Sequence, residues 1–308
     1  MNEKKKKIFA LIFFALSFVS FSCSAKKREK KIHRETEIIQ EAKTEPENFS
    51  CFSKGYPDLN FRAEFDEEKS DWKIFFEVSG EEKIFYWCSA KLLPPEEISD
   101  AKNFWPILYR YEKNLKDPAE MSDEEKFRLK EFSSASNRRE GKGTPMFFFE
   151  TVYESSSRAQ IEKNLVAANF LGRKTTIHKR IKIPLENVER KILDAAKSDE
   201  SVKSFVANLK SADAYNWRLI DGTTRKSFHS LGIALDLIPK KITGEIFWSW
   251  ARDKNPDGWM LTPLSRRWLP PARVVEIFES EGFIWGGKWG IWDNMHFEFH
   301  PELILFSR

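Results

Sequence analysis

The chain has 308 residues, with 51 Lys and Arg against 47 Asp and Glu, and only three cysteines. The net charge of +4 is small, and much of the positive excess lies in the first 31 residues, so no basic stripe is left to track nucleic acid. No Cys-x-x-Cys pair occurs, which removes zinc-ribbon and dithiol redox chemistry.

The N-terminus runs Lys4-Lys5-Lys6-Lys7, then an apolar stretch from Ile8 to Phe21, then Ser22-Cys23. A basic segment followed by a short apolar core is an export signal. The apolar stretch is shorter than the roughly 20 residues a spanning helix needs. A cysteine closing such a stretch, after Ser20 and Ser22, resembles a bacterial lipoprotein processing site, with Phe21 where a small residue is usual. The resemblance implies a signal peptide over 1–22, lipidation of Cys23, and a membrane-anchored protein of the cell envelope. An uncleaved N-terminal anchor is the other reading, and it also places the rest of the chain outside the cytoplasm. Residues 23–50 are then the lipidated cysteine and a polar tether, too poor in apolar groups to offset ordering entropy. As flexible coil it spans about 30 Å. Cys51 and Cys88 remain, either as a disulfide or as two free thiols.

Residues 51–155 form a first region without recognisable chemistry. Trp72 to Val78 and Lys83 to Trp87 are aromatic and β-branched around Ser79-Gly80, which predicts a β-hairpin. Pro94-Pro95 opens a predicted helix that includes Trp105, Ile107, Leu108 and Tyr111. Ser122-x-x-Glu125 is a capping box that starts a second helix. Ser133 to Thr144 is polar and predicts a loop, and Pro145 to Phe149 a buried strand.

Residues 156–308 form the second region. The pattern predicts a helix over 158–170 closed near Gly172, a strand over 175–183, and one long helix from Pro184 through Leu209. Strands are expected over 214–220, 232–238, 283–285 and 295–299, with a helix from Pro270 or Pro271 to Gly282. Helices and strands mix without βαβ repetition, so the class is α+β.

The chemistry concentrates in Ser227-Phe-His229-Ser-Leu-Gly232-Ile-Ala234-Leu-Asp236 and Asp293-Asn-Met-His296. Two histidines and an aspartate can hold Zn2+ and leave a position open for water. A further carboxylate nearby can take that water's proton. Gly232 and Ala234 are small enough to let the backbone pass close to a metal. On a strand His296, Glu298 and His300 face one way, so Glu298 or His300 could replace a member of the set. Trp285, Trp289 and Trp292 either wall a groove or pack the core. His178 reads as structural.

Taken together, Ser-x-His-x-x-Gly-x-Ala-x-Asp, Trp285-Gly-Gly-Lys-Trp289 and Asp293-x-x-His296-Phe-Glu resemble the M15 peptidases over roughly residues 175 to 300. These are D-alanyl-D-alanine carboxypeptidases and L-alanyl-D-glutamate endopeptidases. The resemblance implies a small mixed or antiparallel sheet with flanking helices carrying a zinc site, of the hedgehog/DD-peptidase type. It implies zinc on His229, Asp236 and His296, with Asp293 as general base. It also implies Ser227 as a substrate contact and peptidoglycan stem peptides as substrate; Trp289 is the expected substrate contact if the tryptophans wall a groove. An arginine facing the developing oxyanion falls on Arg218, with Arg225 as its rival. Aspartate at position 293 leans toward the endopeptidase branch. Two non-enzymatic readings remain: an envelope lipoprotein that binds wall peptides without cutting them, and a structural lipoprotein whose 51–155 region docks a partner.

Overall fold

The computed structural model describes residues 45–220 and 222–308; the signal peptide, Cys23 and most of the tether lie outside the described residues. From Glu47 onward the chain forms one compact unit. A short helix, Ser50–Gly55, begins it, already anchored by fully buried Phe49 and Phe52. Strands β1 (Arg62–Asp66), β2 (Asp71–Val78) and β3 (Glu81–Tyr86) follow as an antiparallel meander. The β2–β3 turn is Ser79-Gly80, both at positive φ, the two-residue geometry that matches strand twist.

The helix expected over 94–111 is instead a 3-10 turn, Pro95–Asn103, followed by irregular chain. Pro106 is the reason: it disfavours helical backbone at Trp105. The Ser122 capping box is present, with both reciprocal hydrogen bonds, on the helix Asp123–Ser133. The loop expected next carries a short helix, Ala135–Glu140. The apolar run expected as a strand is the helix Phe147–Val152; a run that short has no periodicity to separate the two.

Only Arg158–Ile161 of the expected 158–170 helix forms; the rest is β4 (Leu165–Phe170), paired with β5 (Arg173–His178). Leu171-Gly172, at positive φ, turn this hairpin, so Gly172 serves a strand pair and not a helix end. The long helix is two, Lys182–Ala195 and Glu200–Asn208, because Asp199 caps the second through Ser201 and Val202 N–H. The strand expected over 214–220 lies earlier, as β6 (Leu209–Asp213). Strand β7 is Ala234–Pro239, and Trp248–Lys254 forms a helix between it and the later elements. Helix Ala272–Ser280, β8 (Phe283–Trp285) and β9 (His296–Phe299) lie where expected, and helix Pro301–Phe306 closes the chain.

Strands β6-β7-β9-β8 form a four-stranded antiparallel sheet, so the α+β class holds. Helix Ala272–Ser280 covers it, with Phe278 stacked on Phe297 at 4.0 Å. One continuous core runs from Phe52 and Phe148 to Leu235 and Phe297, so residues before and after 155 share it. Trp248, Trp259, Met260 and Trp292 make a smaller cluster beside it. Gly55 meets Glu302 and Pro301 so closely that an added Cβ would lie 3.1 Å from the Glu302 nitrogen, which lets the first and last helices touch. Cys51 and Cys88 are free thiols. No described helix is long and apolar enough to cross a membrane.

Candidate metal centre

The sheet register builds the centre. Asp236 on β7 lies directly opposite His296 on β9. Leu237 N–H bonds the Met295 carbonyl and Phe299 N–H bonds the Ile233 carbonyl, so the Asp236–His296 pair between them is a non-hydrogen-bonded one. Side chains approach more closely at such pairs. His229 comes from the turn just before β7, a 3-10 helix over Phe228–Leu231. That turn ends at Gly232, φ +67, where a Cβ would sit 2.8 Å from the His178 nitrogen. Gly232 thus allows β5 to close against the turn; its small size serves the backbone of β5 and the left-handed conformation.

The three side chains converge. His229 Nε2 lies 3.2 Å from Asp236 Oδ2 and 3.2 Å from His296 Nδ1, and His296 Nδ1 lies 2.8 Å from Asp236 Oδ1. One ligand atom from each falls within 4.8 Å of the others. The outward nitrogens are occupied: His229 Nδ1 donates to the Ala214 carbonyl at 2.6 Å, and His296 Nε2 donates to Glu298 Oε1 at 2.8 Å. Each ring therefore turns its second nitrogen toward Asp236, donating a hydrogen bond when protonated and offering a lone pair to a cation when not. Two imidazole lone pairs and a carboxylate aimed at one point fit a cation, and the N/O donor set suits Zn2+. Glu298 and His300, the rival ligands, stand behind His296 and outside this cluster.

Charge follows the same geometry. Burial pushes the Asp236 carboxyl up, but hydrogen bonds from His229 and His296 outweigh it and hold it well below the usual carboxylate range. Burial works against a charged His296, yet Asp236 and Glu298 raise it well above an ordinary imidazole. Asp293 is the opposite case. Its burial, with Asp236 and Glu298 adding to the effect against the pull of His296, pushes it up to about 8. Its Oδ1 is buried and accepts no hydrogen bond from the protein. Its backbone is fixed by Asp293 N–H to the Gly286 carbonyl, 3.0 Å, where a Cβ on Gly286 would meet the Asp293 carbonyl at 2.8 Å.

Ser227 caps the His229 turn, its hydroxyl accepting from His229 N–H at 3.3 Å. Ser230 fastens the Arg218 backbone to the same turn, accepting from its N–H at 2.9 Å and donating to its carbonyl at 2.7 Å. The Arg218 side chain is exposed, whereas the Arg225 guanidinium is tied to the Gly141 carbonyl at 2.7 Å. Trp285 and Trp292 are buried in the core. Trp289 is half-buried, its ring centroid 5.5 Å from that of His296. It borders an open cleft of about 540 Å³ that also includes Trp105, Tyr109, Phe149, Phe228 and His300. The contribution of Trp105 and Tyr109 was not legible in the sequence, because it depends on how the irregular segment after Asn103 lies. His178 is buried, pushed down to about 3 by burial and by Arg180 and Lys179.

Residues 221–299 match the family model described as D-alanyl-D-alanine carboxypeptidase, of the M15 peptidases. The match is narrower than the resemblance read from the motifs, and it leaves Arg218 outside. Residues 48–109 match a domain of unknown function (DUF8518). The chain is also similar to the peptidoglycan L-alanyl-D-glutamate endopeptidase CwlK of Bacillus subtilis (strain 168), 36% identical over 78 residues. That stretch is 25% of this chain and spans 41% of the relative's length. No solved structure matches. The segment that carries His229, Asp236, Asp293 and His296 lies within the stretch that matches this M15 peptidase model.

Proposed function

We propose that the protein is a zinc peptidase of the bacterial envelope that hydrolyses peptide bonds in peptidoglycan stem peptides. The observation that carries this is the convergence of His229 Nε2, His296 Nδ1 and an Asp236 oxygen, with both outward ring nitrogens already bonded to the protein. We read the four-stranded sheet and its helices as a DD-peptidase-like fold on the same grounds. Zinc bound there supplies a Lewis acid that polarises a carbonyl and lowers the pKa of water. The rest falls to the chain. Asp293, with a buried oxygen that accepts nothing from the protein, takes the proton of the attacking water and returns it to the leaving amine. Arg218, exposed on a segment pinned to the His229 turn, faces the charge that develops on the scissile oxygen. Trp289 and the cleft it borders seat the remainder of the strand. Ser227 places His229 first, and any substrate contact is made by the same hydroxyl. A lipid on Cys23 would hold this domain near the wall.

Aspartate at 293 and the similarity to CwlK favour a cut inside the stem over removal of a terminal D-alanine. The test is zinc content together with mass spectrometry of muropeptides after incubation. One equivalent of zinc and cleavage within the stem is the expected result; loss of a terminal D-alanine would make it a carboxypeptidase. Zinc without cleavage over several stem chemistries would move the reading to a wall-binding lipoprotein. Asp293→Asn should keep zinc and lose about 10²–10⁴-fold in rate, the usual worth of a positioned base.

A further inference from the structure

A buried string of hydrogen bonds runs away from His296. Glu298 Oε1 meets His296 Nε2 at 2.8 Å, and Glu298 Oε2 meets His300 Nε2 at 3.3 Å. His300 Nδ1 meets Glu302 Oε1 at 2.8 Å, and the Tyr56 hydroxyl donates to Glu302 Oε2 at 2.8 Å. His300 is 3% exposed and Glu302 0%. Phe149 and Phe228 stand edge-on to the His300 ring, at 5.1 and 4.7 Å, and hold its plane.

Taking carboxylates out of water costs several kcal/mol each unless they are well paired, so this is an expensive way to build a core. The geometry also fixes the direction of the protons. Both nitrogens of His300 face carboxylates, so both donate. Glu302 then accepts from His300 and Tyr56, and Glu298 from His300 and His296. That fixes a hydrogen on His296 Nε2, so Nδ1, facing His229 and Asp236, is the nitrogen left for a metal. Partners of this kind, outside the ligands themselves, set the tautomer and orientation of metal-binding histidines.

We propose that Tyr56, Glu302, His300 and Glu298 are positioning residues, a string through which the 48–109 region holds His296 in its metal-binding tautomer. The proposal rests on His296 being a metal ligand. It gives that region a part in the metal centre, since Tyr56 anchors the far end.

The test compares Zn2+ affinity, by chelator competition, in the full chain and in its Tyr56→Phe and His300→Gln variants. Thermal melts and the absorption spectrum of the Co2+-loaded forms accompany it. His300→Gln should weaken zinc by about 10-fold or more, the usual cost of losing such a partner, and shift the cobalt bands. Tyr56→Phe should act in the same direction by less. Nitrogen-15 NMR of the zinc-loaded, unsubstituted protein should place the His296 proton on Nε2, which keeps the test decisive if His300→Gln fails to fold. A proton on Nδ1 would overturn the string. So would variants that melt earlier but bind zinc with unchanged affinity and an unchanged cobalt spectrum, the outcome of a merely structural role. Failure of the unsubstituted protein to bind zinc would instead remove the metal reading itself.

Discussion

At the scale of single residues, the two buried histidines outside the ligand set carry opposite pH signatures. Burial works against a charged His300, but Glu302 and Glu298 outweigh it and raise the ring from 6.5 to about 9. A raised folded value means stabilisation that is fully present below pH 6.5 and lost as pH rises through 9. His178 is pushed the other way, to about 3, so its contribution is present above pH 6.5 and lost as pH falls toward 3. Thermal melts of the metal-free protein across this range should fall on both sides. His300→Gln should flatten the alkaline side while leaving the acid side in place; an unchanged alkaline slope would contradict the charged His300. The three residues of the candidate metal cluster were legible in the sequence because their spacing is local or motif-like. Placement of Glu298 and His300 behind His296, and not beside it, required the geometry of the sheet. Tyr56 had no sequence signal at all, since it lies 246 residues from its partner Glu302.

At the scale of elements, local cap and hairpin-turn signals were readable, whereas short apolar runs and the extents of the longer helices were not. The Ser122 capping box and the β2–β3 turn each depend on two or three neighbouring residues, and both formed. Phe147-Phe-Phe149 became helix, and 165–170 became strand, because tertiary burial decides between the two when periodicity is too short to. Helix Ala272–Ser280 packs Phe278 onto β9, which β7 and β8 flank. Phe278 is fully buried and contacts Phe170, Phe283 and Phe297. Phe278→Ala should therefore cost about 3–5 kcal/mol in chemical denaturation, the usual range for such a truncation. Zinc binding should persist where the variant is folded, because no ligand sits on that helix.

At the scale of the molecule, the first region cannot be detached without opening the core. Phe52, Tyr56, Phe148 and Phe149 pack with Leu231, Leu235 and Phe297 in one cluster. A chain truncated to 156–308 should be poorly folded, with a loss of cooperative melting and of zinc binding. A truncated chain that melts cooperatively and keeps zinc would show instead that the two regions are separable. The regions marked by composition, 51–155 and 156–308, differ in chemistry while sharing their interior, and composition carries no information about which surfaces face each other.

The ligand geometry has a mechanical side. His229 and His296 are 67 residues apart, and the helix Ala272–Ser280 and strands β7 and β8 lie between them. An ion gripping both would act as a reversible cross-link across that span. Clips that close long loops restrict the unfolded chain the most. The same ion would thus serve as a removable staple, and chelation would lower the stability of the sheet as well as stop the proposed hydrolysis.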